Sequence, residues 1–207
     1  MSRIILLLDY GGVLGYDHLI EQEEKLALTL GMTQFEMNKR LSEKSDIGKA
    51  FRENKVTEVD FWSTITPHQK VDESYARILT KMWMDTYQLN DSMMDYLQKL
   101  RKSIKVGVLT NIDIGRSRLL ERIIDINNHL DYYFPSYIFG YSKDTPQLWS
   151  IINQQFKNDD IIIYIDDRIE HVLSSEKVGW KSIQYFNFEQ MKKQLQILIN
   201  REQLSFE

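Results

Sequence analysis

The chain has 207 residues, 43% of them hydrophobic and 27% charged, a composition that supports a folded core and excludes wholesale disorder. A net charge of -4 without a long basic run argues against a nucleic-acid-binding surface. Cysteine is absent, which removes disulfides and thiolate metal sites, and no stretch approaches the roughly 18 to 20 apolar residues of a membrane helix.

Ile4 to Leu8 is a continuous apolar run, ended by Asp9 and followed by Gly11 and Gly12. It is too short for the apolar region of a signal peptide, so a cytoplasmic protein is expected. The run fits a strand buried on both faces of a parallel sheet. From Asp17 to Asn90 the pattern is helix after helix, over Leu19–Leu30, Gln34–Ser42, Val59–Thr64 and Ser74–Tyr87. Asp17 and Gly31 read as the two caps of the first of these. Phe61, Trp62, Trp83 and Tyr87 read as a helical core rather than a ligand cage.

Ser92–Arg101 carries Met93, Met94, Leu97 and Leu100 at helical spacing. Further strand-like runs follow at Lys105–Leu109, Tyr137–Phe139 and Ile161–Ile165, with a weaker one at Lys181–Tyr185. Pro146 suits the first turn of a helix holding Leu148, Trp149, Ile151 and Ile152, and Phe188, Met191, Leu195 and Leu198 mark a last helix. Strands alternating with helices predict an α/β fold: a Rossmann-like parallel-sheet core with a helical cap inserted after the first strand. The expected division is residues 1–16 and 91–207 for the core and 17–90 for the cap. Both ends of the insertion would lie near the C-terminal edge of the sheet, where such sheets bind ligands.

Reactive residue types end the predicted strands: Asp9 the first, Thr110-Asn111 the second and Asp166-Asp167 the fourth, with Lys143 just beyond the third. Strand ends of one parallel sheet converge, so these residues are expected to share a pocket. Three carboxylates so placed raise one another's pKa unless a cation neutralises them. Magnesium, a hard cation that prefers oxygen ligands, suits them, and Lys143 and the Thr110 hydroxyl would help to clamp a phosphate while Asp9 attacks. Gly11 and Gly12 let the backbone approach that phosphate. The Asp166-Asp167 pair also reads as a cap for a helix starting near Arg168. The histidines, His18, His68, His129 and His171, do not pair at zinc-ligand spacing.

The segments Asp9-Tyr10-Gly11-Gly12-Val13-Leu14, Leu109-Thr110-Asn111, Gly140-Tyr141-Ser142-Lys143 with Pro146 and Trp149, and Ile165-Asp166-Asp167 with Val172, Gly179 and Trp180 resemble, in order, the motifs of the haloacid dehalogenase (HAD) superfamily of hydrolases. Members with a small helical cap, such as the N-terminal phosphatase domain of soluble epoxide hydrolase and the sugar-phosphate phosphatases, are the most similar in character. The resemblance implies Asp9 as nucleophile and metal ligand, and the Gly11 carbonyl as a further ligand. It implies Thr110 and Lys143 as catalytic and phosphate-binding residues, beside Gly11, Gly12 and Asn111. Asp167 would bind magnesium directly and Asp166 through water or as support. The implied ligand is a small phosphorylated metabolite, handled by a monomer or weak homodimer without nucleic acid or membrane.

The sequence departs from that pattern at Gly11, where phosphatases of the superfamily usually carry the acid/base Asp, at His171, where Asn is common, and at Asp144, where Pro is common. Asp17 and His18 are candidate replacements for the missing acid. Three functions stay open: a phosphomonoester hydrolase of weakened activity, a catalytically impaired binding or regulatory protein, and a 2-haloacid dehalogenase, whose halide leaving group needs no proton.

Overall fold

The computed structural model describes residues 3–16 and 19–204. β1 (Ile4–Leu8) runs through the centre of the molecule and is buried along its whole length. A tight loop leads to β2 (Gly15–Tyr16), and the helical insertion follows: α1 (Ile20–Leu30), α2 (Gln34–Leu41), α3 (Asp46–Arg52), α4 (Glu58–Ile65) and α5 (Glu73–Met84). β3 (Gln88–Leu89) pairs antiparallel with β2 and so brings the ends of the insertion together. Next come α6 (Asp91–Leu100), β4 (Lys105–Thr110), α7 (Ile114–Ile124), α8 (Ile126–His129), β5 (Tyr132–Pro135) and α9 (Ser136–Phe139). The chain ends with α10 (Pro146–Asn153), β6 (Ile161–Asp166), α11 (Ile169–Glu176), β7 (Lys181–Gln184) and α12 (Phe188–Leu204).

The five long strands form one parallel sheet in the order β5-β4-β1-β6-β7. This is the α/β, Rossmann-like core that the sequence predicts. Side chains alternate across β1, so Leu6 and Leu8 pack with Val106, Val108, Ile163 and Leu195 on one face. Ile5 and Leu7 pack with Leu148, Trp149 and Tyr164 on the other. The insertion has its own core, in which Leu26, Phe51, Phe61, Trp62 and Leu79 are buried.

Two local readings are corrected. Tyr137–Phe139 is helical, and the third strand of the sequence lies earlier, at Tyr132–Pro135. Pro135 brings no N–H for the sheet ladder, so the strand ends there and the following apolar residues turn into α9. Gly31 does close α1 in the left-handed conformation, but its N-cap is Leu19, without a side-chain cap bond. Asp17 and His18 lie outside the described residues.

The insertion is fastened to the core at several points. The Ser136 hydroxyl donates to the Arg52 carbonyl at 2.8 Å, and the Ser142 N–H donates to Glu53 Oε1 at 3.0 Å. α5 packs on α7. At Gly115 a Cβ would lie 2.8 Å from Glu58 Oε1 and 2.9 Å from the Thr80 methyl, so a side chain there would push α7 away from the insertion.

Candidate active site

Asp9 follows directly on β1, its N–H bonded to the Ile165 carbonyl of β6 at 2.9 Å. That bond fixes the carboxylate at the C-terminal edge of the sheet. The Tyr10 N–H donates to Asp9 Oδ1 at 2.7 Å, and Lys143 Nζ lies 2.7 Å from Oδ2. Beyond Asp9 the chain doubles back: the Tyr10 carbonyl accepts from the N–H groups of Leu14 and Gly15. Gly12 makes this turn possible with φ +71, and a Cβ there would lie 2.7 Å from Asp167 Oδ2. The bare glycine thus lets the Asp167 carboxylate lie against the loop that follows Asp9.

Lys143 is 1% exposed. Its N–H donates to Asn111 Oδ1 at 2.8 Å and its carbonyl accepts from Trp149 Nε1 at 2.8 Å, which aims the side chain inward. Nζ sits between two carboxylates, 2.7 Å from Asp9 Oδ2 and 2.7 Å from Asp166 Oδ2. Asp166, at the end of β6, is fully buried and has several further partners. Oδ1 accepts from the Arg168 N–H at 2.9 Å, Oδ2 accepts from the Tyr164 hydroxyl, and His171 Nδ1 is 3.1 Å from Oδ2. The helix after the acidic pair starts at Ile169 with Arg168 as N-cap, which makes no side-chain cap bond of its own, and the Arg168 N–H is taken by Asp166 of the pair.

The electrostatics follow from this unequal sharing. Burial pushes the Asp166 carboxyl up, but Lys143 and His171 outweigh it and hold the group well below the usual carboxylate range. Asp9 receives less. Burial pushes it up, Lys143 pulls it down, the Asp166 charge pushes it up again, and it ends at about 6. Lys143 itself is raised, because Asp166 and Asp9 outweigh its burial.

Asp9, Gly11, Thr110, Asn111 and Asp167 line one cleft, with an empty volume of about 620 Å³ including its open mouth. Lys143 and Asp166 lie beneath it, through Asp9. The Asn111 amide is engaged at both ends, since its Nδ2 donates to Glu43 Oε2 at 2.7 Å while Oδ1 holds Lys143. It therefore ties two loops together as well as lining the cleft. Glu43, from the insertion, also pairs with Arg168 of the core.

A divalent cation suits the donors present. Asp9 is a buried carboxylate with too little positive charge around it, and Asp167 and Gly11 line the same cleft. Asp9, Asp166 and His171 also lie close enough together to hold an ion. However, Asp166 and His171 are already committed to Lys143, Arg168, Tyr164 and Asp144. Asp9, Gly11 and Asp167 line the cleft together and offer oxygen donors of the kind magnesium takes.

Sequence reasoning overlooked four cleft residues, Glu43, Arg52, Arg116 and Arg168. Each reads in sequence as an ordinary solvated charge, and only the docking of the insertion on the sheet edge brings them together.

No family model matches the sequence, and no curated protein is similar to it. Similarity is found among solved structures. A HAD family enzyme from Bacteroides thetaiotaomicron, in complex with magnesium and inorganic phosphate, superposes with a TM-score of 0.73 at 14% identity, covering 92% of this chain and 99% of that one. A HAD-like family hydrolase from Porphyromonas gingivalis gives 0.70 at 16% identity, covering 94% and 98%. L-2-haloacid dehalogenase from Xanthobacter autotrophicus, with chloropropionic acid covalently bound, gives 0.60 at 11% identity, covering 88% and 76%. The chain has the fold of the haloacid dehalogenase superfamily of hydrolases.

Proposed function

We propose that the protein is a magnesium-dependent hydrolase of small phosphorylated metabolites, working through an aspartyl-phosphate on Asp9. One observation carries the reading. Residues from separate strand ends meet at a buried carboxylate, Asp9, whose Oδ2 is held 2.7 Å from Lys143 Nζ. The HAD-fold enzyme crystallised with magnesium and inorganic phosphate supports the choice of ion and leaving chemistry.

In this reading Asp9 Oδ attacks phosphorus and the P–O bond to the alcohol breaks. Lys143 fixes the carboxylate rotamer and draws its charge toward the attacking geometry, and the Thr110 hydroxyl donates to a phosphate oxygen. Asp166 keeps Lys143 charged and in place. Magnesium, held by Asp9, Gly11 and Asp167, would neutralise the phosphate and orient it. Water then cleaves the acyl-phosphate and restores Asp9. The helical insertion acts as the cap that closes over the substrate.

Gly11 supports a second reading, in which the fold binds a phosphorylated ligand but turns it over poorly. It supplies no carboxyl to protonate the departing alcohol, an omission worth about 10²- to 10⁴-fold in rate. The test is phosphate release from a panel of phosphomonoesters and chloride release from 2-haloacids, with magnesium and with EDTA. Magnesium-dependent phosphate release that vanishes in Asp9→Asn is expected. Release that survives Asp9→Asn overturns the nucleophile assignment, and chloride release without metal favours a dehalogenase. A wild-type protein without turnover that gains it in Gly11→Asp belongs to the second reading.

A further inference from the structure

Arg116, in the first turn of α7, is 4% exposed and lines the cleft. Its Nε donates to Asp113 Oδ2 at 2.6 Å, but its Nη2 is buried and has no hydrogen-bond partner among the described residues. Asp113 is divided as well, since Oδ1 accepts the Arg116 N–H at 2.9 Å as helix cap. Arg52, at the end of α3, is equally buried and lines the same cleft. It donates to the carbonyls of Gly48 at 2.9 Å and Leu41 at 3.0 Å, and to no carboxylate among the described residues. Both guanidinium groups approach one ring: Arg116 Cζ is 3.5 Å and Arg52 Cζ is 5.2 Å from the centroid of Trp83.

Burial presses the Arg116 pKa down, but Asp113 outweighs it and leaves it raised, whereas Arg52 beside it donates to carbonyl oxygens only among the described residues. Burial and the Arg116 charge press Arg52 down to about 9, as expected for like charges placed together. A buried donor left without a partner is unfavourable until a ligand meets it. The other cleft cation, Arg168, is paired with Glu43 and offers no such surplus. A guanidinium over an aromatic ring at the cleft wall, with its Nη2 unpartnered among the described residues, suits a planar or tetrahedral oxyanion.

We infer that Arg116 and Arg52, mounted on Trp83, form a second anion subsite in the cleft, so that the substrate carries a carboxylate or a second phosphate on its leaving-group side. This rests on the hydrolase reading for which end of the substrate reacts. The subsite recognises the part of the molecule that departs, and Lys143 and Thr110 attend the phosphoryl group that is transferred. Met84, Tyr87 and Ile112 share the cleft wall and suit a short carbon skeleton.

The test compares matched pairs with the full chain and magnesium: 3-phosphoglycerate against glycerol 3-phosphate, and fructose 1,6-bisphosphate against fructose 6-phosphate. The expected result is a kcat/KM at least tenfold higher for the extra anion in one pair, and the pair that responds tells carboxylate from phosphate. Arg116→Met, which keeps an unbranched chain on Trp83, should bring that ratio close to one, and Arg116→Lys should retain part of it. Calorimetric binding of the same compounds to the Asp9→Asn protein gives a second readout that does not need turnover. Equal constants within both pairs, or a preference that survives Arg116→Met, overturn the subsite while leaving the hydrolase reading intact. If no compound is hydrolysed, that reading fails instead, and an Arg116-dependent difference in binding still decides for the subsite. Should Arg116→Met not fold, Arg116→Lys and Arg52→Met carry the same comparison.

Discussion

His171 Nε2 lies 3.4 Å from Asp144 Oδ1, so two positions at which the sequence departs from the HAD pattern meet in space. The other ring nitrogen faces Asp166. Burial and Lys143 lower the His171 pKa, but the bonds to Asp144 and Asp166 outweigh them and leave it raised. A raised histidine stabilises the fold fully below its unfolded pKa of about 6.5 and loses that contribution as pH rises through the folded value. A double-mutant cycle of His171→Asn and Asp144→Asn, read by urea denaturation at pH 6, should give a coupling of about 0.5–3 kcal/mol. At pH 9 the coupling should be smaller.

Lys143 serves two buried carboxylates at once, and both lose their counter-charge together. Lys143→Met is expected to abolish turnover and to destabilise the fold by about 3–5 kcal/mol, the cost of breaking a buried ion pair by removing one partner. Adding Asp166→Asn should restore part of the stability and none of the activity. Denaturant melts beside phosphate-release assays separate the two effects.

Gly12 has φ +71 and no room for a methyl group against Asp167. Gly12→Ala should cost about 1–3 kcal/mol in backbone strain and displace the Asp167 carboxylate. The magnesium concentration for half-maximal activity should rise about 10- to 100-fold, the usual effect of disturbing a ligand's support. Asp167→Asn should match or exceed that rise, read by titrating magnesium in phosphate-release assays.

Asp131 joins β5 to β4, taking the Val106 N–H at 3.0 Å, Lys105 Nζ at 2.9 Å and Arg101 Nε at 3.2 Å. Burial raises its pKa, but these donors outweigh it and leave the carboxyl lowered. Its contribution is present above the unfolded pKa of about 3.9 and is lost as pH falls through the folded value. Asp131→Asn should destabilise by about 1–2 kcal/mol at pH 7, and the gap to wild type should close below about pH 3.

The sheet was readable because its inner strands are continuous apolar runs, as burial on both faces demands. β5 was not, since Tyr132-Tyr133-Phe134 and Tyr137-Ile138-Phe139 look alike and Pro135 between them decides which is strand. α7 escaped notice because its apolar stripe is interrupted by Gly115 and Arg116, which serve the seam with the insertion and the cleft, and by the exposed Arg118. In the acidic pair the sequence shows two equivalent aspartates. Only the structure separates Asp166, which is enclosed by donors, from Asp167, which fronts the cleft. Trp83 belongs to the helical core as expected, yet one face of its ring carries Arg116, a use that burial patterns do not encode.

β1 is made well before its sheet partners, which are residues 105–108 on one side and 161–165 on the other. Five apolar side chains must wait without neighbours until most of the chain has been made. The insertion, with a core assembled from nearby residues, is able to order itself meanwhile. Nascent chains halted before β4 should therefore be the aggregation-prone ones, and the strand that bears the reactive aspartate is among the last to find its place.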